Sequence, residues 1–359
     1  MTKSAYIHIP FCKSKCKYCS FISFNRLDKV DEYIKALHTE IEAYYEKENL
    51  KTLYLGGGTP SLISPDKLGE IVSAFKFAQS PEITCEINPD DADFEYLKEL
   101  KSIGINRLSI GSQSFDDNIL HNIGRRHNSQ QIVSAVQNAQ KVGFDNISLD
   151  LIYGLPYQTD IKPDLENFLK LGIQHISTYG LKIDEGSFWY KNPPTGLPDD
   201  DLQADIYEGV NNKLKSSGFH RYEISNFALE GFESKHNLNY WNNNEYYGFG
   251  VAAHGYRNKI RYFNTSELDE YINNPTHHKN EKNLTLKEIL EEEIFLGFRK
   301  TEGINVEEIN TKFNIDFNNK YSHILAKYKD YILPTKKGWQ LNLQGILLSN
   351  IILSEFIED

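Results

Sequence analysis

The sequence predicts an α/β protein: an incomplete parallel (β/α)6 barrel followed by a small C-terminal helical (winged-helix-like) domain. Three observations predict it. Strand-like and helix-like segments alternate through the first 220 residues, the pattern of a parallel sheet wrapped by helices. The β/α units number six, short of the eight that close a full barrel. After residue 220 the rhythm changes, and an unpatterned polar stretch at 273–283 precedes a final run of short helices.

In chain order, the strands are expected at 5–11, 52–57, 82–88, 106–113, 146–154 and 175–183. The helices are expected at 28–46, 65–79, 93–102, 129–143, 160–172 and 199–218. Ser64-Pro65 reads as a cap and first helical residue, and Gly143, Gly172 and Gly218 each close a helical stretch. Residues 1–220 therefore form the partial barrel. Residues 221–272 extend it, with a strand at 222–228 and an Asn- and aromatic-rich segment at 235–250. Residues 273–283 read as a linker and 284–359 as the helical domain, with a turn or hairpin at 332–343.

Side chains alternate faces along a strand. Tyr6 and His8 oppose Ile7 and Ile9; Thr84, Glu86 and Asn88 oppose Ile83, Cys85 and Ile87; Ser148 and Asp150 oppose Ile147, Leu149 and Leu151. Each apolar face belongs under the helices, and Cys85 goes with it as a core residue. The polar face is costly in a dry, packed interior, so the lumen is expected to be a polar ligand cavity.

A net charge of −11 with no long Lys/Arg run supplies no basic footprint, which argues against nucleic acid as substrate. The longest apolar run, near residues 345–353, is too short for stable membrane insertion. Residues 1–4 lack the apolar stretch of an export signal. Four cysteines, three of them within eight residues, are too clustered for a disulfide framework and suit a metal in a reducing compartment. The expected location is cytoplasmic.

Cys12, Cys16 and Cys19 form a C-x3-C-x2-C run after the first strand. Iron–sulfur clusters ordinarily take four protein thiolates; three leave one iron open to a small molecule, the logic that separates catalytic from structural zinc sites. Zinc or spare cysteines are the alternatives, but no second C-x2-4-C pair is present. Lys13, Lys15 and Lys17 would favour thiolates nearby. Gly56-Gly57-Gly58-Thr59-Pro60 ends the second strand, where bare backbone lets a ligand approach closely.

Cysteine run and glycine run together are similar to the radical S-adenosylmethionine (radical SAM) pattern. Tyr6-Ile7-His8-Ile9-Pro10-Phe11-Cys12, Glu86-Ile87-Asn88-Pro89, Ser112-Gln113-Ser114-Phe115, Gly124-Arg125-Arg126-His127 and Asp150-Leu151-Ile152-Tyr153-Gly154-Leu155-Pro156 narrow it. They resemble the family of oxygen-independent coproporphyrinogen III dehydrogenase and its relatives, from about residue 5 to 260. The resemblance implies a 4Fe-4S cluster on the three cysteines. It implies Tyr6, Gly57 and Glu86 as contacts to cluster-bound SAM, and Tyr18, Gly58, Thr59, Gln113, Arg125, Asp150 and Gly180 as positions that hold a second SAM. Chemically, Glu86 and Asp150 can accept from ribose hydroxyls or an ammonium, and Arg125 can pair a carboxylate; salt bridges inside the barrel are the alternative.

Two departures from the dehydrogenase resemble the heme-chaperone branch of the family. Phe21 stands where the dehydrogenase has a further Cys, and only five residues precede Tyr6. His236-Asn237-Leu238-Asn239-Tyr240-Trp241 matches that branch's H-N-x-x-Y-W motif, which implies heme on His236, Tyr240 and Trp241. Imidazole is a good iron ligand and the two rings could pack on a porphyrin. A histidine hydrogen-bonded inside an aromatic loop is the alternative. The resemblance implies a heme-binding and heme-transfer protein with unidentified acceptor proteins. The competing expectation is a radical SAM enzyme acting on a porphyrinogen, or a two-SAM methyltransferase.

Overall fold

The computed structural model describes residues 2–357. Strands β1 (Ser4–Ile9), β2 (Asn49–Gly57), β3 (Lys76–Ile87), β4 (Arg107–Gln113), β5 (Asn146–Tyr153) and β6 (His175–Gly180) lie side by side and parallel, in sequence order. Helices α1 (Val30–Tyr44), α2 (Pro65–Ser73), α3 (Phe94–Ser102), α4 (Asp117–Ile123), α5 (Ser129–Val142) and α6 (Lys162–Lys170) fill the connections. Helices α7 (Phe188–Lys191) and α8 (Asp200–Ser216) follow β6. The sheet does not close. Strands β7 (His220–Arg221) and β8 (Asn226–Ala228) add antiparallel pairs beyond β6, and β9 (Tyr247–Phe249), which follows α9 (Lys235–Trp241), pairs with β1 at the opposite edge.

The helix-facing side is a dry core of Ile7, Ile9, Leu53, Leu55, Cys85, Leu108, Ile110 and Leu149, each fully buried. Burial of such a side chain contributes roughly 1.5–3 kcal/mol. The lumen is polar, as alternation predicts: Thr84, Arg107, Ser109, Ser148, His175 and Ser177 are buried there. Their hydrogen bonds make this tolerable; His175 bonds Ser148 Oγ at 2.7 Å and Tyr222 OH at 2.7 Å.

Several boundaries differ from the pattern-based expectation. The helix expected to reach residue 79 ends at Ser73, because residues from Lys76 onward pair with the start of β2 (Asn49 with Lys76, Leu50 with Phe77). Of the expected strand at 222–228 only 226–228 is strand (β8); the residues before it turn back to β7 at 220–221. Helix α4 carries a readable signal that the periodicity hides: the Asp116 side chain caps it by accepting from Asn118 and Ile119 N–H, and Gly124 closes it at φ 84°. Residues 273–283, expected as linker, include β12 (His278–Asn283), which completes an antiparallel sheet with β10 (His254–Arg257) and β11 (Ile260–Asn264). Strand β12 is almost wholly exposed, so it has no buried face to write an alternation into the sequence.

The C-terminal unit packs α10 (Leu286–Gly297) and further short helices around a three-stranded sheet of Ile304–Asn305, Gly338–Leu341 and Ile332–Pro334. It has its own core, including Ile294, Phe298, Phe317, Tyr321 and Phe356. Among the described residues no helix is long and apolar enough to cross a membrane.

Two carboxyls are buried away from the site, and the first joins distant segments. Glu40 of α1 accepts from Gly250 N–H (2.8 Å), Asn264 Nδ2 (2.6 Å) and Tyr271 OH (2.5 Å). Glu223, fully buried where the barrel meets the C-terminal unit, accepts from Ser225 N–H at 3.2 Å. Burial pushes both up to about 7. Because each binds its proton more tightly folded than unfolded, its contribution is full below the ordinary carboxyl value and is lost as pH rises through about 7. The thermal midpoint is therefore expected to fall by a few degrees between roughly pH 5 and 8, and Glu223→Gln to flatten that slope. An unchanged slope in Glu223→Gln would refute this account of Glu223.

Candidate functional site

The three cysteines sit on the loop that leaves β1 at the C-terminal end of the parallel strands, where such folds bind ligands. The loop is tied at both ends and at its middle. Cys12 N–H donates to Phe24 O at 3.1 Å and Phe24 N–H to Pro10 O at 2.6 Å. Lys17 N–H donates to Ile123 O at the end of α4, and Trp189 N–H to Lys17 O, both at 3.0 Å. So held, Cys12, Cys16 and Cys19 are half-buried and line one cavity. Among the described residues no His, Cys, Asp or Glu trio closes tightly enough for a single ion. Three thiols on one cavity wall are the donor set that an iron–sulfur cluster with one iron left open would use.

Burial raises the Cys19 thiol, and Lys15 pulls against that rise. Lys13 pairs with Asp91 at 3.0 Å and Lys15 donates to Gly186 O at 3.3 Å, so both fasten the loop. The cation that reaches sulfur is Arg125, whose Nη1 lies 3.6 Å from Cys16 Sγ while Nη2 donates to Asn88 Oδ1 (2.7 Å) and Gly111 O (2.5 Å). Arg125 Nε and His127 Nδ1 are buried without a partner among the described residues, which leaves polar capacity for a ligand in the wall of that cavity.

The glycine run has a steric cause at each position. A Cβ on Gly58 would stand 2.8 Å from the carbonyl oxygens of Ile9 and Phe11; on Gly57, at φ +112°, it would enter the His8 ring; on Gly56, it would meet Tyr54 and Glu86. Strand β2 thus lies close enough to β1 for Thr59 Oγ1 to reach Cys12 Sγ at 3.4 Å.

A second cavity of about 360 Å³ continues from the first, sharing Tyr18, Cys19, Gly57, Gly58, Thr59 and Arg125. Of the ten residues the resemblance assigns to SAM, all but Tyr6 line it, including Gln113 and Gly180. Gln113 gets there through a break in register after Ile110 and a left-handed backbone, φ 67°. Glu86 accepts from Tyr54 OH (2.8 Å) and Gly57 N–H (3.0 Å), and Asp150 accepts from Ser109 Oγ (3.2 Å). Burial, reinforced by Asp150, raises Glu86 to about 7; burial also raises Asp150, against the pull of Ser177 and Arg107. Two strained carboxyls facing one cavity favour a cationic ligand such as a sulfonium or ammonium. Sequence reasoning missed Tyr54, the residue that orients Glu86, although alternation along β2 pairs its lumen face with Tyr6 and Thr84.

The H-N-x-x-Y-W segment forms α9 and is split between three environments. His236 is 1% exposed. Its Nδ1 bonds Thr52 Oγ1 and its Nε2 bonds Tyr240 OH, both at 2.8 Å, and its ring stacks on Tyr54. Burial and nearby Arg107 lower it to about 3. Glu82 holds the start of α9 by accepting from Lys235 and His236 N–H. This is the histidine hydrogen-bonded among aromatic rings, and in this arrangement it presents no free nitrogen to iron. Tyr240 faces a third cavity beside the cluster loop. Trp241 faces away from it, into a polar groove against the C-terminal unit.

Fold and site together define a radical SAM protein. The Radical SAM superfamily matches residues 6–171, and the HemN C-terminal domain matches residues 284–348. The chain is 38% identical to the heme chaperone HemW of Lactococcus lactis over 99% of this chain and 97% of that one. It is 38% identical to heme chaperone HemW of Bacillus subtilis over 99% of both. The chain belongs to the HemW family. Its fold is also that of coproporphyrinogen III oxidase HemN from Escherichia coli, at a TM-score of 0.88 and 22% identity, covering 99% of this chain and 90% of that one.

Proposed function

We propose that this chain binds heme and hands it to acceptor proteins while carrying a SAM-ligated 4Fe-4S cluster on Cys12, Cys16 and Cys19. The observation that supports the cofactor half is the single wall of three half-buried thiols opening into a carboxyl-lined cavity. The heme half rests on the relatives' name, heme chaperone. A bound cluster would offer one iron without a protein ligand to a small molecule. The chain's own residues do the rest. The glycine run admits a ligand against bare backbone, Tyr54 and Gly57 N–H aim Glu86, and Asp150 and Arg125 offer an acceptor and a carboxylate partner across the cavity.

The test uses full-length protein purified and reconstituted without oxygen. It is expected to bind hemin stoichiometrically, to pass it to an apo-globin, and to yield no protoporphyrinogen from coproporphyrinogen III with SAM and dithionite. Protoporphyrinogen formation would overturn the chaperone reading.

A further inference from the structure

We infer that His254 is the axial nitrogen donor to heme, in the aromatic cavity beside the cluster loop into which Tyr240 faces. The inference rests on the heme-binding reading above and names the site for it.

Three histidines lie in or next to this cavity, and the structure separates them. His8 is 5% exposed, with Nδ1 on Tyr6 OH (3.0 Å) and Nε2 on Ile22 O (2.9 Å). His236 is spent on Thr52 and Tyr240. His254, first residue of β10, is exposed, and its imidazole makes no hydrogen bond among the described residues. It is also held in place: Phe263 is its cross-strand partner on β11, and the two rings stack with centroids 5.2 Å apart. A positioned imidazole with uncommitted nitrogens is what iron requires.

The surroundings fit a porphyrin. The cavity holds about 680 Å³, within the roughly 300–1,000 Å³ of small-molecule sites. Tyr240, Tyr246, Phe263 and Phe21 supply flat apolar surface. Lys279 on β12 is exposed at the same cavity and makes no ion pair among the described residues, which leaves it for a propionate. Ser20, Phe21 and Glu86 line this cavity and the SAM cavity alike, so Phe21 stands as a partition between cargo and cofactor.

Hemin is titrated into cluster-loaded parent, His254→Ala and His236→Ala proteins, reading the Soret band and the resonance Raman spin-state markers, with and without free imidazole. The expected result is a shifted Soret band and affinity lower in His254→Ala by at least the roughly tenfold that even a ligand's outer partners are worth. Imidazole should restore the parent spectrum, and His236→Ala should keep the parent's axial-ligand signature. If His254→Ala keeps the parent's spectrum and affinity, the ligand assignment is wrong while heme binding by the parent still stands. If the parent binds no hemin, the chaperone reading falls and the assignment with it.

Discussion

Replacing any one of Cys12, Cys16 or Cys19 with alanine is expected to reduce iron, acid-labile sulfide and the associated visible absorbance to near background. Two thiolates cannot hold three corners of a cubane, and the remaining neighbours offer no substitute: Lys13 and Lys15 are engaged with Asp91 and Gly186, and Arg125 is a donor. Cys85→Ala is the internal comparison. That thiol is fully buried in the apolar layer and pushed well above its usual range by burial, so its loss should leave cluster content intact. It should cost only about 1 kcal/mol for the small cavity. Full iron and sulfide in a Cys16→Ala protein would remove the basis for the cofactor assignments.

Gly58→Ala is expected to damage both stability and cluster loading. The added Cβ would stand 2.8 Å from Ile9 O and Phe11 O and 2.9 Å from Phe11 N. These are backbone atoms and cannot rotate away, so β1 and β2 must part and the 2.8 Å Gly58 N–H to Ile9 O bond is lost. Phe11 precedes the first cysteine, so displacement is passed directly to Cys12. Overpacking of this kind costs about 1–3 kcal/mol, visible as a lowered thermal midpoint, and cluster absorbance should fall with it. Gly209→Ala in α8, where a Cβ meets nothing within 4 Å, should instead stabilise by up to about 1 kcal/mol. A Gly58→Ala protein as stable and as well loaded as the parent would refute the close-approach argument.

Much of the barrel was legible because alternation is written locally. Ile7, Leu53, Cys85 and Leu149 show their face by their neighbours' polarity, and Glu86 and Asp150 fall on the lumen side by the same count. Strand β9 left no such mark. It is three residues long, with Gly248 at its centre because a Cβ would collide with His254 O. What the lysines of the cysteine loop bond to was hidden for a related reason. Their spacing places charge near sulfur, but their partners, Asp91 and Gly186, are set by loops 78 and 171 residues away.

By itself the sequence determined the clustering of three cysteines behind the first strand, the parallel order of the strands and the polarity of the lumen, since each depends on spacing and alternation within a few residues. Only the tertiary structure decided which histidine is free. His236 loses its nitrogens to Thr52, 184 positions away in the chain, and to Tyr240, while the His254 ring makes no hydrogen bond among the described residues. A motif records which side chains are present. Whether their lone pairs are already taken depends on what folding brings against them.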